Sequence, residues 1–593
     1  MSLSAAEQGQ TEQSTLLPKQ LDSRKPLISK KAGALLLGIA AVVGLSTFFF
    51  STEIHKPASS SGLVEGKNGA VAVEAEQCSN VGIEILKKGG NAVDSAIASA
   101  LCIGVIDSFA TGIGGGGFML IRSPNGTYDF IDFRETAPGA SHKDMFVEDP
   151  SKAQVGGLSV GVPGEIRGFQ LAHERHGKLP WEELFTPAID MSRNGFNTTR
   201  LLAQRLQSAK EWIMQDATFS AVFAPNGQLA MEGQLIKRPS LADTLEIIAK
   251  QGPDAFYEGL IAASIVNTTV NNGGILTMED MKNYQAVVRP PISTYYHGRK
   301  IVTGGTPTSG HVLISALNIL ERFNLRLLGE VGLNVHRLVE ALKYGFAFRT
   351  ELGDPDYVDN ADRLEEIISK DWASLARANI SDDHTHEPTF YNPKFDNSEA
   401  HGTMHLSVVD ENDGAVALTS TVNLLFGARI MDPVTGIILN DEMDDFSIPG
   451  IPNAFGLQPS VYNYVYPGKR SLSSCVPTII ERDSKFEMAV GASGGSMIIT
   501  ATLGVILDVV DYGKNIFDAI VAPRLHHQLM PNTAILEDGF SKQYIDALQS
   551  RGHDIVVLPK SMKITAVQAV MRSPDGTVYG ASDIRKYGQA AVY

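Results

Sequence analysis

Thr403 stands in His-Gly-Thr-Met-His-Leu-Ser (401–407). A threonine hydroxyl is a weak nucleophile unless a base stands beside it, and a threonine that becomes an N-terminus carries that base as its own α-amine. The Gly402–Thr403 bond therefore reads as a self-cleavage site and the chain as a proenzyme. Three clusters follow that can complete such a site: Thr-Ser-Thr-Val-Asn (419–423), Asn-Asp-Glu-Met-Asp-Asp-Phe (440–446) and Ser-Leu-Ser-Ser-Cys-Val-Pro-Thr (471–478).

The segments 403–409 and 415–421 both carry strand patterning, and Asp-Glu-Asn-Asp-Gly (410–414) between them reads as a turn. If Val409 pairs with Ala415, each cross-strand pair sums to 824, and Thr403 falls opposite Thr421 on one face. Thr421 can then hydrogen-bond the nucleophile, with Asn423 two residues on. Asp441, Glu442, Asp444 and Asp445 supply carboxylates for an ammonium group. Ser473 and Ser474 offer hydroxyl donors, and Arg134 offers a bidentate fork for a carboxylate. An ammonium seat beside a carboxylate seat describes the head of an α-amino acid.

The elements that must position these groups are mixed. Helical periodicity recurs at 78–105, 165–176, 200–214, 240–250, 310–348 and 363–377, and strand patterns fall at 117–122, 127–133, 403–409, 415–421 and 486–491. The mixture predicts an α and β body around a sheet core.

Other motifs compete. Gly112-Ile-Gly-Gly-Gly-Gly117 satisfies the dinucleotide fingerprint, but a helical pattern precedes it and a hairpin pattern follows, so a close-packed glycine turn is preferred. Gly491-Ala-Ser-Gly-Gly495 matches a nucleophile elbow, with His526, His527 and His553 downstream. A serine hydrolase using Ser493 is the competing mechanism. The same glycines can instead present backbone N–H groups to an oxyanion. His384 and His386 suggest a metal loop, but no nearby residues complete a ligand set, and a solvated loop is preferred.

The 593 residues carry 50 Lys plus Arg against 66 Asp plus Glu, for a net charge of −16. The body has no long basic run, which argues against nucleic-acid binding. Three cysteines exclude a disulfide scaffold; Cys78 and Cys102 can pair if the body is luminal or extracellular, leaving Cys475 free. Residues 32–50 are uncharged and mostly apolar, with Lys19, Arg24, Lys25, Lys30 and Lys31 before them, which predicts a type II membrane anchor. The long polar lead argues against a cleaved signal peptide. Residues 1–31 are then a cytosolic tail and 51–66 a stem. Glu12-Gln-Ser-Thr-Leu16-Leu17 in the tail resembles an acidic dileucine signal, so the membrane is the plasma membrane or that of a vacuole or lysosome. Sequons at Asn125, Asn197, Asn267 and Asn379 agree with a luminal body.

From about residue 67 to the end, the chain closely resembles the γ-glutamyltranspeptidases, or glutathione hydrolases. The resemblance rests on the clusters above and on Lys-Lys-Gly-Gly-Asn-Ala-Val-Asp (87–94), Gly-Ile-Gly-Gly-Gly-Gly-Phe-Met (112–119), Asp-Phe-Arg-Glu (132–135), Pro-Arg-Leu-His-His-Gln (523–528) and Gly-Ala-Ser-Asp (580–583). It implies an N-terminal-nucleophile hydrolase fold, a four-layer αββα sandwich, cut into a large subunit (67–402) and a small one (403–593) that stay together. It implies Thr403 as nucleophile with Thr421 beside it. Arg134, Ser473 and Ser474 are implied on the α-carboxylate, and Asn423, Glu442 and Asp445 on the α-amino group. The N–H groups of Gly494 and Gly495 are implied as the oxyanion hole. The implied substrates are glutathione and other γ-glutamyl compounds, with water, amino acids or dipeptides as acceptors and no cofactor or metal. Asp441 departs from a common Asn, Ser471 from a common Pro, and Cys475-Val476 from the usual Met with Cys or Ser; none removes a catalytic group. Two alternatives remain: an acylase of the same fold, and a non-catalytic homologue acting as a binding protein.

Overall fold

The structure is a computed structural model, and it describes residues 62–328, 332–396, 403–450, 452–454, 456–562 and 565–593. The anchor at 32–50, the tail with Leu16 and Leu17, and Gly402 lie outside the described residues. Among the described residues no helix is long and apolar enough to cross a membrane.

Two seven-stranded sheets form the centre. In the first, Met404–Val409 and Ala415–Thr421 lie in the middle, flanked by Ala70–Ala72 on one side and Gly116–Arg122 on the other. In the second, Lys485–Ser493 lies between Ala566–Arg572 and Thr478–Arg482. The sheets pack on each other. Helices Glu76–Lys87, Ala92–Ile106 and Glu165–His176 cover the first, and Gly310–Glu321, Met497–Val510 and Ile516–Val521 cover the second. This is the αββα order.

Alternation along the central hairpin explains the layers. Met404, Leu406, Val408, Val416 and Leu418 pack with the first helical layer. Val409, Ala415 and Ala417 belong to the core that includes the second sheet. His405 and Ser407 share that inner face, where the Ser407 hydroxyl donates to the carbonyl of Gln568 (3.1 Å) across the sheets.

Several boundaries differ from the periodicity. The helical pattern at 78–105 is two helices, because Gly89 takes φ +94° and Asn91 caps the second helix through the N–H groups of Val93 and Asp94. The pattern at 310–348 is divided into Gly310–Glu321 and Gly332–Arg349, with Leu325–Leu328 between, and that at 363–377 into Ala361–Ile367 and Lys370–Asn379. Residues 200–214 likewise divide into Arg200–Ser208 and Lys210–Ile213. The stem predicted to run to residue 66 ends earlier, since Leu63–Gly66 pairs with Val578–Ser582 as an edge strand. Cys78 and Cys102 are joined by a disulfide, with Cα atoms 5.5 Å apart, and Cys475 is a buried free thiol.

Candidate active site

The central hairpin has the 824 register: Val409 faces Ala415 and Met404 faces Ser420. Continued by one residue, that register sets Thr403 against Thr421 at the end of the inner face. Thr403 is 5% exposed with φ +117°, a conformation that a β-branched residue rarely takes. Backbone strain of this kind gathers at reactive positions.

The glycine run that resembled a dinucleotide fingerprint serves this hairpin. It is followed by the antiparallel strands Gly116–Arg122 and Tyr128–Phe133, where a nucleotide fold needs a helix. A Cβ on Gly115 would lie 2.0 Å from the carbonyl oxygen of Thr421, so only glycine lets the chains approach there.

From Thr421 a chain of contacts leads to the charged cluster. The Thr421 hydroxyl oxygen accepts from the N–H of Asn423 (2.8 Å). Asn423, with φ +71°, donates its side-chain amide to the carbonyl of Asp441 (3.1 Å). Asp441 accepts from the N–H of Leu424 (2.8 Å) and leads into the turn Glu442–Asp445. One guanidinium nitrogen of Arg134 pairs with Glu442 Oε1 (2.5 Å) and also with Asp445. Arg134 is 1% exposed, Glu442 1% and Asp445 4%.

The cluster holds unmet hydrogen-bonding capacity. Among the described residues, Arg134 Nε, Glu442 Oε2, Asp445 Oδ1, Asp441 Oδ2 and both carboxyl oxygens of Glu135 are buried without a hydrogen-bond partner. Burial raises the pKa of Glu442 well above its ordinary value, against the pull of Arg134. Burial likewise pushes Glu135 up to about 7 and Asp441 well above the carboxylate range. Burial opposes the charge on Arg134, yet Glu442 and Asp445 outweigh it and hold its pKa above the arginine norm. Carboxyl groups thus outnumber the one guanidinium of Arg134, and an ammonium beside Glu442 and Asp445 would favour their charged forms.

Ser473 and Ser474 follow directly on Ser471, whose hydroxyl donates to Glu442 (3.4 Å), and Leu472, whose carbonyl accepts from Arg134 (3.5 Å). The Ser473 hydroxyl oxygen accepts from the N–H of Cys475 (3.2 Å), and that of Ser474 from Arg349 (2.9 Å). Because both oxygens are acceptors here, both hydroxyl protons can turn toward an anionic ligand.

A family model described as gamma-glutamyltranspeptidase matches residues 78–593. The chain belongs to that family. It is 47% identical over 538 residues to glutathione hydrolase proenzyme 1 of Schizosaccharomyces pombe, covering 90% of this chain and 85% of that one. The solved cephalosporin acylase of Bacillus halodurans is similar at a TM-score of 0.79 and 26% identity, with 92% of this chain and 99% of that chain covered. The gamma-glutamyltranspeptidase of Helicobacter pylori is similar at a TM-score of 0.51 and 32% identity, covering 54% of this chain and 93% of that chain.

In this γ-glutamyltranspeptidase chain the competing serine site does not form. Ser493 is fully buried at the end of its strand, where its hydroxyl donates to Glu74 (2.5 Å) and accepts from Lys586 (2.8 Å). The histidines that a triad would need are engaged elsewhere. His526 contacts Thr500 and Gln528 (both 3.0 Å), His527 accepts from the N–H of Leu529 (3.0 Å), and His553 contacts His336 (2.7 Å). Gly491 of the same motif is a packing residue, since a Cβ there would sit 2.2 Å from the His405 ring of the facing sheet. Gly494 and Gly495 follow at φ +127° and +64°, ahead of the helix Met497–Val510. Among the described residues their N–H groups have no backbone acceptor.

In a loop, His384 meets His386 edge to face, and His386 stacks on Phe390. Donor atoms of His336, Glu340 and His553 come within 4.8 Å of one another. The 2.7 Å between the two imidazole nitrogens is a hydrogen-bond spacing, shorter than the roughly 3.3 Å that two ligands on one tetrahedral zinc would keep. His336 is held in turn by the carbonyl of Ser381 (2.7 Å), and Glu340 by Thr385 (2.6 Å) and Tyr391 (2.7 Å). This is a hydrogen-bonded network. Asn125, Asn197, Asn267 and Asn379 are all exposed.

Sequence reasoning missed two cations of the site, Arg349 and Lys586. Arg349 ends the helix Gly332–Arg349 and is 1% exposed; Lys586 lies in the turn Ile584–Lys586. Neither sits in a local motif that marks its role.

Proposed function

We propose that this protein is a self-processing γ-glutamyltransferase and glutathione hydrolase whose nucleophile is the Thr403 hydroxyl. Family membership supports the activity. The observation that carries the site assignment is the hairpin register, which continued by one residue sets Thr403 opposite Thr421, with hydrogen bonds running from Thr421 through Asn423 to Asp441 at the head of the turn whose Glu442 and Asp445 pair with Arg134. It joins a hydroxyl nucleophile to a buried seat with both signs of charge, matching an amide whose acyl group carries an α-amino acid head.

In the precursor, the Thr403 hydroxyl attacks the Gly402 carbonyl and the Gly402–Thr403 C–N bond breaks, which frees the α-amine and leaves an ester; water hydrolyses that ester to a Gly402 carboxylate and restores the Thr403 hydroxyl. Such an amine has a reference pKa of about 8, low enough to serve as base near neutrality. The amine takes the hydroxyl proton as Thr403 Oγ attacks the γ-carbonyl of glutathione. The oxyanion meets the N–H groups of Gly494 and Gly495, and loss of one such donor typically costs ~10²–10³ in rate. The intermediate collapses as the proton passes to the departing amine of cysteinylglycine. Water, an amino acid or a dipeptide then takes the γ-glutamyl group from the Thr403 ester. Arg134, Ser473 and Ser474 bind the α-carboxylate, and Asn423, Glu442 and Asp445 the α-ammonium.

The anchor at 32–50 places this body on the luminal or extracellular side, as the exposed sequons and the Cys78–Cys102 bond suggest.

Rates on γ-glutamyl-p-nitroanilide and glutaryl-p-nitroanilide test the head-group argument, because the two differ only by the α-amino group. A strong preference for the first supports the reading; equal rates would favour an acylase.

A further inference from the structure

Among the described residues, Lys586 is the side chain that hydrogen-bonds Thr403. Its ammonium donates to the Thr403 carbonyl (3.0 Å), to the Ser493 hydroxyl (2.8 Å) and to Glu74 Oε2 (2.8 Å). Three donors meet three acceptors, so every hydrogen of the ammonium is used. The second oxygen of Glu74 accepts from Ser493, which closes the set.

These four residues come from distant parts of the chain. Glu74 follows the strand Ala70–Ala72, and Thr403 precedes Met404–Val409, both in the first sheet. Ser493 ends a strand of the second sheet, and Lys586 follows another, Val578–Ser582. Lys586 therefore ties the two sheets together where Thr403 enters. Ser493 is bonded directly to Gly494, so the tie also fixes the glycine pair relative to Thr403.

The turn that presents Lys586 is itself anchored. Asp583 caps it by accepting from the N–H of Arg585 (2.9 Å), and the same carboxylate pairs with Arg524 (2.5 Å) and accepts from the N–H of Val567 (2.9 Å). Glu74 is 2% exposed and Ser493 fully buried, so water does not compete freely for these bonds.

We propose that Lys586 is a positioning residue that sets the distance between the Thr403 nucleophile and the Gly494–Gly495 oxyanion donors; this rests on the reading of Thr403 as nucleophile. Catalysis by attack needs reacting atoms aligned to a fraction of an ångström, and a 1 Å misplacement costs on the order of 10²-fold.

The test compares wild type, Lys586→Met, Lys586→Arg and Thr403→Ala as purified full chains. Intact mass gives processing, γ-glutamyl-p-nitroanilide gives kcat and KM, and thermal melting gives stability. The proposal expects processed Lys586→Met to lose roughly 10²-fold in kcat while KM stays within about threefold and the melt stays near wild type. Lys586→Arg should recover part of that loss. If Lys586→Met stays uncut yet melts like wild type, the proposal is equally supported, since attack on Gly402 needs the same alignment. A processed Lys586→Met with wild-type kcat would overturn it. So would matching losses of activity and stability in the Met and Arg variants, which describe an ordinary ion pair. The underlying reading fails separately, through an uncut wild type or an active Thr403→Ala.

Discussion

Arg134 and Glu442, 308 positions apart in sequence, form a buried ion pair at 2.5 Å. Sequence reasoning assigned them to opposite ends of one ligand. Here they pair with each other, and Asp445 joins them. A zwitterionic head group would exchange one internal pair for two new ones, an exchange that leaves no buried charge alone.

Arg134→Met should therefore act on both binding and stability. Removing one partner of a buried pair typically costs about 3–5 kcal/mol, because the other is left uncompensated. The expected result is a lower melting temperature at pH 7 and a KM for γ-glutamyl donors raised tenfold or more, about 1.4 kcal/mol. Steady-state kinetics and thermal melting check both. An unchanged KM would remove Arg134 from the carboxylate seat.

Arg349 should matter through Ser474. Its guanidinium occupies the Ser474 oxygen, which directs the hydroxyl proton outward. Burial lowers the Arg349 pKa to about 10, so it remains a cation at neutral pH. Hydrogen bonds to charged groups contribute about 1.5–3 kcal/mol, so Arg349→Met should raise KM roughly tenfold or more. If Ser474→Ala and Arg349→Met have additive effects on KM, the two do not act as a unit.

The buried Glu165 predicts a pH slope. Ser420 donates to it beside Thr421, and burial raises its pKa to about 8. In the unfolded chain a glutamate ionises near ~4.3. Between those values the native state holds a proton that unfolding releases. Stability is thus fully present below the unfolded value and is lost as pH rises toward 8, by at most about 1.4 kcal/mol per pH unit. Glu165→Gln should flatten this decline, so that the variant gains on wild type between pH 5 and 8. Parallel melting curves across that range would show Glu165 ionised in the native state.

The parts legible in the sequence were those set by local rules. The hairpin register followed from alternation and the turn at 410–414, and Glu165–His176 appears where its periodicity put it. The break between Glu76–Lys87 and Ala92–Ile106 had signals too, Gly89 and Asn91, but apolar residues on both sides masked them. Strands Ala566–Arg572 and Val578–Ser582 escape the periodicity, although Ser-Pro-Asp-Gly (573–576) repeats the turn sequence of Ser-Pro-Asn-Gly (123–126). Arg349 and Lys586 were beyond reach. Each is a long cation whose partners lie 125 and 183 positions away, and no local spacing encodes such contacts.

The central claim is that Thr403 becomes an N-terminus and then acts through its hydroxyl. Intact mass and N-terminal sequencing of wild type beside Thr403→Ala test it most directly. The account predicts a new terminus reading Thr-Met-His-Leu in active wild type, and an uncut, inactive Thr403→Ala chain. A wild type that remains uncut while hydrolysing γ-glutamyl-p-nitroanilide would contradict it.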